Sequence, residues 1–127
     1  MIRGRFNENG EPCVQLKIAG LKIEVIVDIG FNGTLWLPTT FLTGLNLEAI
    51  STQRFFVADG HPVDAQIFLG KMIWFDKDIE IEIAATESNN ALLGTELLRE
   101  CSLFIHFPTQ RVEIRKARKA SVKIETG

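Results

Sequence analysis

The 127-residue sequence has few of the side chains that build metal centres or disulfide frameworks. It contains two cysteines, Cys13 and Cys101, and two histidines, His61 and His106, and these four residues are far apart in the sequence. Because no local pair of ligands is present to begin a zinc site, we predict no metal site and no cofactor. The first residues carry no export signal, so we expect both thiols to be reduced rather than joined in a disulfide.

Long apolar runs are also missing. No run approaches the roughly 20 residues that a membrane-spanning helix needs, so we predict a soluble, cytoplasmic protein with no membrane partner. The formal net charge of -2 provides no general attraction for nucleic acids. The basic ending has no interleaved aromatic residues, so we interpret residues 116–127 as a flexible, solvated tail and predict no nucleic-acid partner.

Short runs rich in Val, Ile and Phe, broken by Gly, Pro, Asn or Asp about every 8 to 12 residues, predict an all-β sandwich or barrel. The length suits one domain, which we place at residues 1–115. Turns are expected at residues 7–10 and 19–20, and a hairpin over residues 55–69 with a polar tip at residues 59–62. Two short helices are predicted, from Thr39 to Leu45 and from Thr95 to Cys101.

One later strand shows the alternation of a half-buried sheet. Its isoleucines alternate with acidic residues, so the acidic side chains are expected to face solvent rather than to bind a metal; these are Asp78, Glu80 and Glu82. The tryptophans Trp36 and Trp74 are interpreted as core or edge aromatics rather than as ligand platforms.

An acidic residue stands where another apolar strand ends. Residues 23–27 run directly into Asp28-Ile29-Gly30. A carboxylate at the end of a hydrophobic strand, in a loop that contains glycine, is held rigidly and partly shielded from water, which suits proton transfer. Aspartate before glycine is more often a simple turn residue, so a catalytic interpretation of Asp28 needs support from a second segment. Residues 91–98 give that support, because they form a short apolar strand that ends at Gly94 and enters a helix.

Together these segments resemble the retropepsin-like aspartic proteases, the family of the retroviral proteases and their small microbial relatives. Asp28-Ile29-Gly30 stands where that family has Asp-Thr/Ser-Gly, and Leu92-Leu93-Gly94 stands where it has two apolar residues and a glycine before a short helix. Residues 55–68 occupy the place of the family's flap hairpin. The resemblance extends over residues 1–114.

The resemblance implies a closed, barrel-like retropepsin fold with one or two short helices, in a homodimer that acts as an aspartic endopeptidase on peptide or protein substrates. Asp28 is the implied catalytic residue, Ile29 and Gly94 belong to the active-site loops, and the implied substrate-binding residues are Gly30, Ala58, Asp59 and Gly60. Aspartic proteases use two carboxylates that share one proton. Since this chain has one Asp-x-Gly sequence, Asp28 of two copies would meet at a two-fold axis.

Ile29 departs from the family pattern. The family's hydroxyl at this position donates a hydrogen bond across the dimer axis, which isoleucine cannot do. Isoleucine and threonine are both β-branched, so we expect the loop, the fold and the dimer to be retained. Two alternatives to a peptidase remain: a catalytically impaired relative that serves as a peptide-binding or assembly module, and a small β-barrel adaptor unrelated to proteases.

Overall fold

The computed structural model describes residues 1–56 and 59–117. This part of the chain is built mostly of strands, with only two short helices, which confirms the all-β prediction. The strands are β1 Ile2–Phe6, β2 Pro12–Ile18, β3 Leu21–Val27, β4 Leu35–Pro38, β5 Glu48–Phe56, β6 Pro62–Trp74, β7 Lys77–Thr86, β8 Leu92–Leu93, β9 Cys101–His106 and β10 Arg111–Lys116. Two one-turn helices, α1 Thr39–Leu42 and α2 Thr95–Leu98, follow β4 and β8.

Six of the strands form a closed barrel. They pair in the order β6, β7, β4, β8, β3 and β2, and β2 pairs back onto β6 where Ile18 faces Met72. Strand β5 extends the sheet beyond β6, and β1, β10 and β9 extend it beyond β2. The predicted closed, barrel-like architecture is therefore confirmed.

The barrel interior holds the apolar side chains that alternate along the strands. Every second residue is buried from Val14 to Ile18 in β2 and from Ile23 to Val27 in β3. The same rule holds in β7, where Ile81 and Ile83 are buried while Glu80 and Glu82 are exposed. Asp78 is exposed as well, as the alternation predicted. Trp74 is buried among the core residues, and Trp36 lies half-buried at the edge of a second, smaller cluster.

Tight turns connect β1 to β2 and β2 to β3. In the turn at residues 7–10, the Asn7 side chain accepts hydrogen bonds from the backbone N–H groups of Asn9 and Glu11 at 3.0 and 2.9 Å. Ala19 and Gly20 both have positive φ, 49° and 82°, the conformation whose twist matches that of paired strands. Both turns were predicted from their residue types.

Several element boundaries differ from the predictions. Helix α1 ends at Leu42 instead of Leu45, because Thr43 is already extended and Gly44 has a φ of 94°. Helix α2 ends at Leu98, because Cys101 begins β9 and pairs with Lys116. Strand β6 continues past the predicted end at Leu69, since Gly70 stays in the sheet and its missing side chain leaves room for Ile83.

Both cysteines are free; Cys13 is buried, with 3% of its surface exposed, and Cys101 is half-buried. Within residues 1–56 and 59–117 there is no helix of the length and apolar character that crossing a membrane requires. Residues 118–127, most of the predicted tail, lie outside the described residues.

Candidate active site

Asp28 lies where β3 leaves the barrel. The short strand β8 lies between β3 and β4, parallel to the first and antiparallel to the second. The Asp28 backbone N–H donates to the Leu93 carbonyl at 3.0 Å, which continues this pairing one residue beyond β3. The position of Asp28 is thus set by strand pairing, while its half-buried side chain remains accessible.

The Asp28 carboxylate is oriented by its own loop. Its Oδ1 accepts the Gly30 backbone N–H at 2.9 Å, and its backbone carbonyl accepts the Phe31 N–H at 3.2 Å. A Cβ at Gly30 would lie 3.2 Å from this Oδ1, so glycine lets the backbone approach the carboxylate closely. Within the part of the chain that is described, Gly30 is the only hydrogen-bond partner of this carboxylate.

Gly94 packs directly against the loop that follows Asp28. Its N–H donates to the Thr34 carbonyl at 2.9 Å, and the next two N–H groups, of Thr95 and Glu96, donate to the carbonyls of Phe31 and Gly33 at 2.8 and 3.1 Å. A side chain at Gly94 would overlap the Gly33 carbonyl oxygen. The structure therefore brings Gly94 and the Asp28 loop together, as the spacing of the two motifs led us to expect.

Ile29 points outward beside the carboxylate. Ile29 is a large apolar residue, yet 71% of its surface is exposed.

The hairpin of β5 and β6 carries the predicted flap. At its tip, Gly60 has a φ of 85°, and among the described residues no atom beyond its two chain neighbours lies within 4 Å of where its Cβ would be, so the structure does not bring Gly60 against Asp28. The Asp59 carboxylate accepts the His61 N–H at 3.0 Å and lies 2.8 Å from His61 Nδ1. These two interactions, the backbone one first, lower the pKa of Asp59. Ala58 lies outside the described residues.

No protein-family model and no curated protein matches the chain, but solved structures do. A retropepsin-like aspartic protease from Rickettsia conorii superposes with a TM-score of 0.64 at 18% identity, covering 91% of this chain and 89% of its own. EIAV protease, in complex with the inhibitor HBY-793, has a TM-score of 0.59 at 16% identity and covers 74% of this chain and 90% of its own. Simian foamy virus (mac) protease has a TM-score of 0.52 at 18% identity and covers 68% of this chain and 91% of its own.

The chain has the retropepsin fold. The predicted fold is therefore confirmed, and with it the resemblance on which the fold was predicted.

An aromatic cluster in this retropepsin fold joins the active-site loop to the flap. Phe31, which follows Gly30, contacts Trp36 and Phe55 with ring centroids 5.4 and 5.8 Å apart, and Trp36 and Phe55 are 5.3 Å apart. Sequence reasoning placed Trp36 only at the core or an edge and missed Phe31 and Phe55. No local pattern marks this cluster, because it forms only when β5 packs beside the Asp28 loop.

Two further features bear on the chemistry of this retropepsin fold. Among the described residues, no group of three or more His, Cys, Asp or Glu side chains is arranged to hold a metal ion. A cavity of about 600 Å³ near Arg3, Arg5 and Arg111 is lined by none of the predicted site residues.

Proposed function

We propose that the protein is an aspartic endopeptidase that works as a homodimer, with Asp28 of each copy forming the catalytic pair. The observation that carries this proposal is the environment of Asp28. Asp28 directly follows the barrel strand β3 in a retropepsin fold. Its Oδ1 accepts a hydrogen bond from the Gly30 N–H, and its backbone N–H donates one to the Leu93 carbonyl. These contacts fix the orientation of the carboxylate before any substrate binds, which is what proton transfer from a bound water requires.

In the proposed reaction, two Asp28 carboxylates share one proton. The ionised carboxylate takes a proton from a water molecule as that water attacks the peptide carbonyl carbon, while the protonated carboxylate donates a hydrogen bond to the carbonyl oxygen. The proton taken from water is then passed to the leaving nitrogen as the C–N bond breaks. Because the chain has one Asp-x-Gly sequence, both carboxylates are present only in a dimer.

The β5–β6 hairpin is proposed to close over the substrate. An extended peptide would pair with backbone groups near Gly30 below and near Ala58, Asp59 and Gly60 above, as an added strand. The positive φ of Gly60 and the open space around it suit a tip that changes conformation on binding. The exposed Ile29 supplies apolar surface beside Asp28 for contact with the second copy.

Cleavage of a mixed peptide library, followed by mass spectrometry, tests this function. We expect cleavage that is favoured at acidic pH, as is usual for a pair of carboxylates that shares one proton, and that is lost in Asp28→Asn. Asp78→Asn is the matched control, because Asp78 is an exposed aspartate on β7 outside the site. Cleavage that persists in Asp28→Asn would contradict the proposal.

A second candidate function is favoured by Ile29. A retropepsin fold without the loop hydroxyl could serve as a peptide-binding or assembly module that does not cut. This alternative predicts dimerisation and peptide binding by the wild type, with no cleavage product at any pH. The retropepsin fold argues against the third alternative, an adaptor barrel unrelated to proteases. A cytoplasmic location stays a prediction, and the two free cysteines agree with a reducing compartment.

A further inference from the structure

A small cavity lies between the Asp28 loop and the first arm of the flap. Its apolar floor includes Phe31 from the loop, Phe55 from β5 and Ile67 from β6. Its volume is about 210 Å³, below the roughly 300 Å³ at which small-molecule sites begin. The size suits one amino-acid side chain rather than a whole ligand.

The rim of this cavity is acidic. Glu82 from β7 and Glu96 from α2 both line it, with the neutral Gln53 from β5, and no lysine, arginine or histidine within residues 1–56 and 59–117 contributes to the lining. Arg99 reaches Glu96 at 3.1 Å but does not line the cavity. Glu82 makes no ion pair with any residue in the described ranges, so the rim retains negative charge.

Both glutamates are tied to the active-site loop through their backbones. The Thr34 hydroxyl donates to the Glu82 carbonyl oxygen, and the Glu96 N–H donates to the Gly33 carbonyl at 3.1 Å. The place of the two carboxylates relative to the loop is therefore set by backbone hydrogen bonds, which Glu→Gln substitutions leave intact.

We propose that this cavity selects an arginine or lysine side chain of the bound peptide. The inference rests on the proposed function, since it assumes a peptide held between the Asp28 loop and the flap. A basic side chain has an apolar stem and a charged end, which matches an apolar floor with an acidic rim. The stem packs on the rings of Phe31 and Phe55 at the floor, and the cation pairs with Glu82 and Glu96 at the rim. An acidic side chain is repelled by the same rim.

A binding experiment tests the selection without requiring cleavage. The ¹⁵N-labelled protein is titrated with N-acetylarginine amide and with its neutral isostere N-acetylcitrulline amide, and backbone amide shifts are recorded by NMR. We expect arginine to shift the amides of residues 31–34, 53 and 82–84, with citrulline binding severalfold more weakly. Glu82→Gln is expected to weaken arginine binding roughly two- to fivefold, the range of a single exposed ion pair.

Glu80→Gln is the matched control, because Glu80 lies two residues earlier on the same exposed face of β7 and does not line this cavity. Equal shifts with arginine and citrulline, or shifts elsewhere only, would overturn the inference. The cleavage products of the peptide library separate failure of the selection for a basic side chain from failure of the proposed peptidase function. Arginine binding at these amides without any peptide cleavage would refute the peptidase alone, whereas cleavage with no basic preference and no arginine shifts would refute the selection alone.

Discussion

The rings of Phe31 and Phe55 lie 5.8 Å apart and connect the loop that carries Asp28 to the first arm of the flap hairpin. Trp36 contacts both rings from β4. Since Phe31 is three residues from Asp28 and buried, packing ties the β5 arm to the loop that carries Asp28. The cluster thus links the part of the proposed site that binds water to the part that closes over peptide.

The contact between Phe31 and Phe55 is expected to appear as an energetic coupling. Phe31→Leu, Phe55→Leu and the double variant should show a coupling of about 0.5–1.5 kcal/mol in the free energy of unfolding, the usual range for an aromatic pair. Urea denaturation measures all three. As a control, Phe31→Leu is combined with Phe6→Leu, whose aromatic contact is with Phe107 on the β9–β10 connection. Additive effects at Phe31 and Phe55, as in the control pair, would show that the cluster does not couple the two elements.

Gly94 is expected to tolerate no side chain. Its φ of -98° and ψ of 175° are accessible to alanine, so the obstacle is steric: a Cβ would overlap the Gly33 carbonyl oxygen and lie 2.6 Å from the Phe31 ring. We expect Gly94→Ala to lower the free energy of unfolding by about 1–3 kcal/mol or more. Gly30→Ala is the matched control, because its Cβ would meet only the Asp28 carboxylate, at 3.2 Å. Thermal or urea unfolding that ranks the two variants equally would contradict the packing shown by the structure.

Ile29→Thr restores the hydroxyl that the family has in this loop. If each copy gains one hydrogen bond of about 1 kcal/mol across the axis, the dimer dissociation constant falls roughly thirtyfold. We expect tighter self-association by sedimentation velocity together with faster peptide cleavage. Ile73→Thr makes the same change at an exposed position of β6, outside the Asp28 loop. This variant should alter neither self-association nor peptide cleavage. Unchanged association and turnover in Ile29→Thr would show that loop bracing does not limit this protein.

Alkaline pH is expected to destabilise the protein through Cys13. Burial, followed by the nearby Glu24, raises the pKa of this thiol from 9.0 to about 11. The folded chain therefore binds the thiol proton more tightly than the unfolded chain. Below pH 9 the Cys13 thiol makes its full contribution to the free energy of unfolding. As pH rises from 9 towards 11, this contribution falls by about 2 kcal/mol.

Urea denaturation at pH 8 and pH 10.5, for wild type and Cys13→Ala, measures this loss. The wild type should lose more stability than the variant, and parallel losses would contradict the assignment to Cys13. The sequence simplifies the comparison because it contains no tyrosine whose phenol would titrate in this range. Cys101, whose pKa burial also raises, is present in both proteins and cancels in the difference.

Features that depend on neighbouring residues were predicted well. The alternation of Ile81 and Ile83 with Glu80 and Glu82 identified the buried face of β7, because side-chain direction in a strand has a period of two. The turn at residues 19 and 20 followed from its glycine. The end of β6 was placed too early, at residue 69, whereas Gly70 continues the strand and Ile83 on β7 occupies the space that the glycine leaves.

The sequence by itself determined the strand content and the loop at Asp28, since each is written in a run of adjacent residues with local conformational preferences. The contact between that loop and Gly94 was implied only by the family resemblance. Only the tertiary structure decided that β2 closes onto β6 at Ile18 and Met72, that Phe31 meets Phe55, and that Glu82 and Glu96 share one cavity. These residues come from separate strands, and their contacts depend on the register and closure of the whole barrel. Such long-range pairings leave no signal in the residues on either side of them.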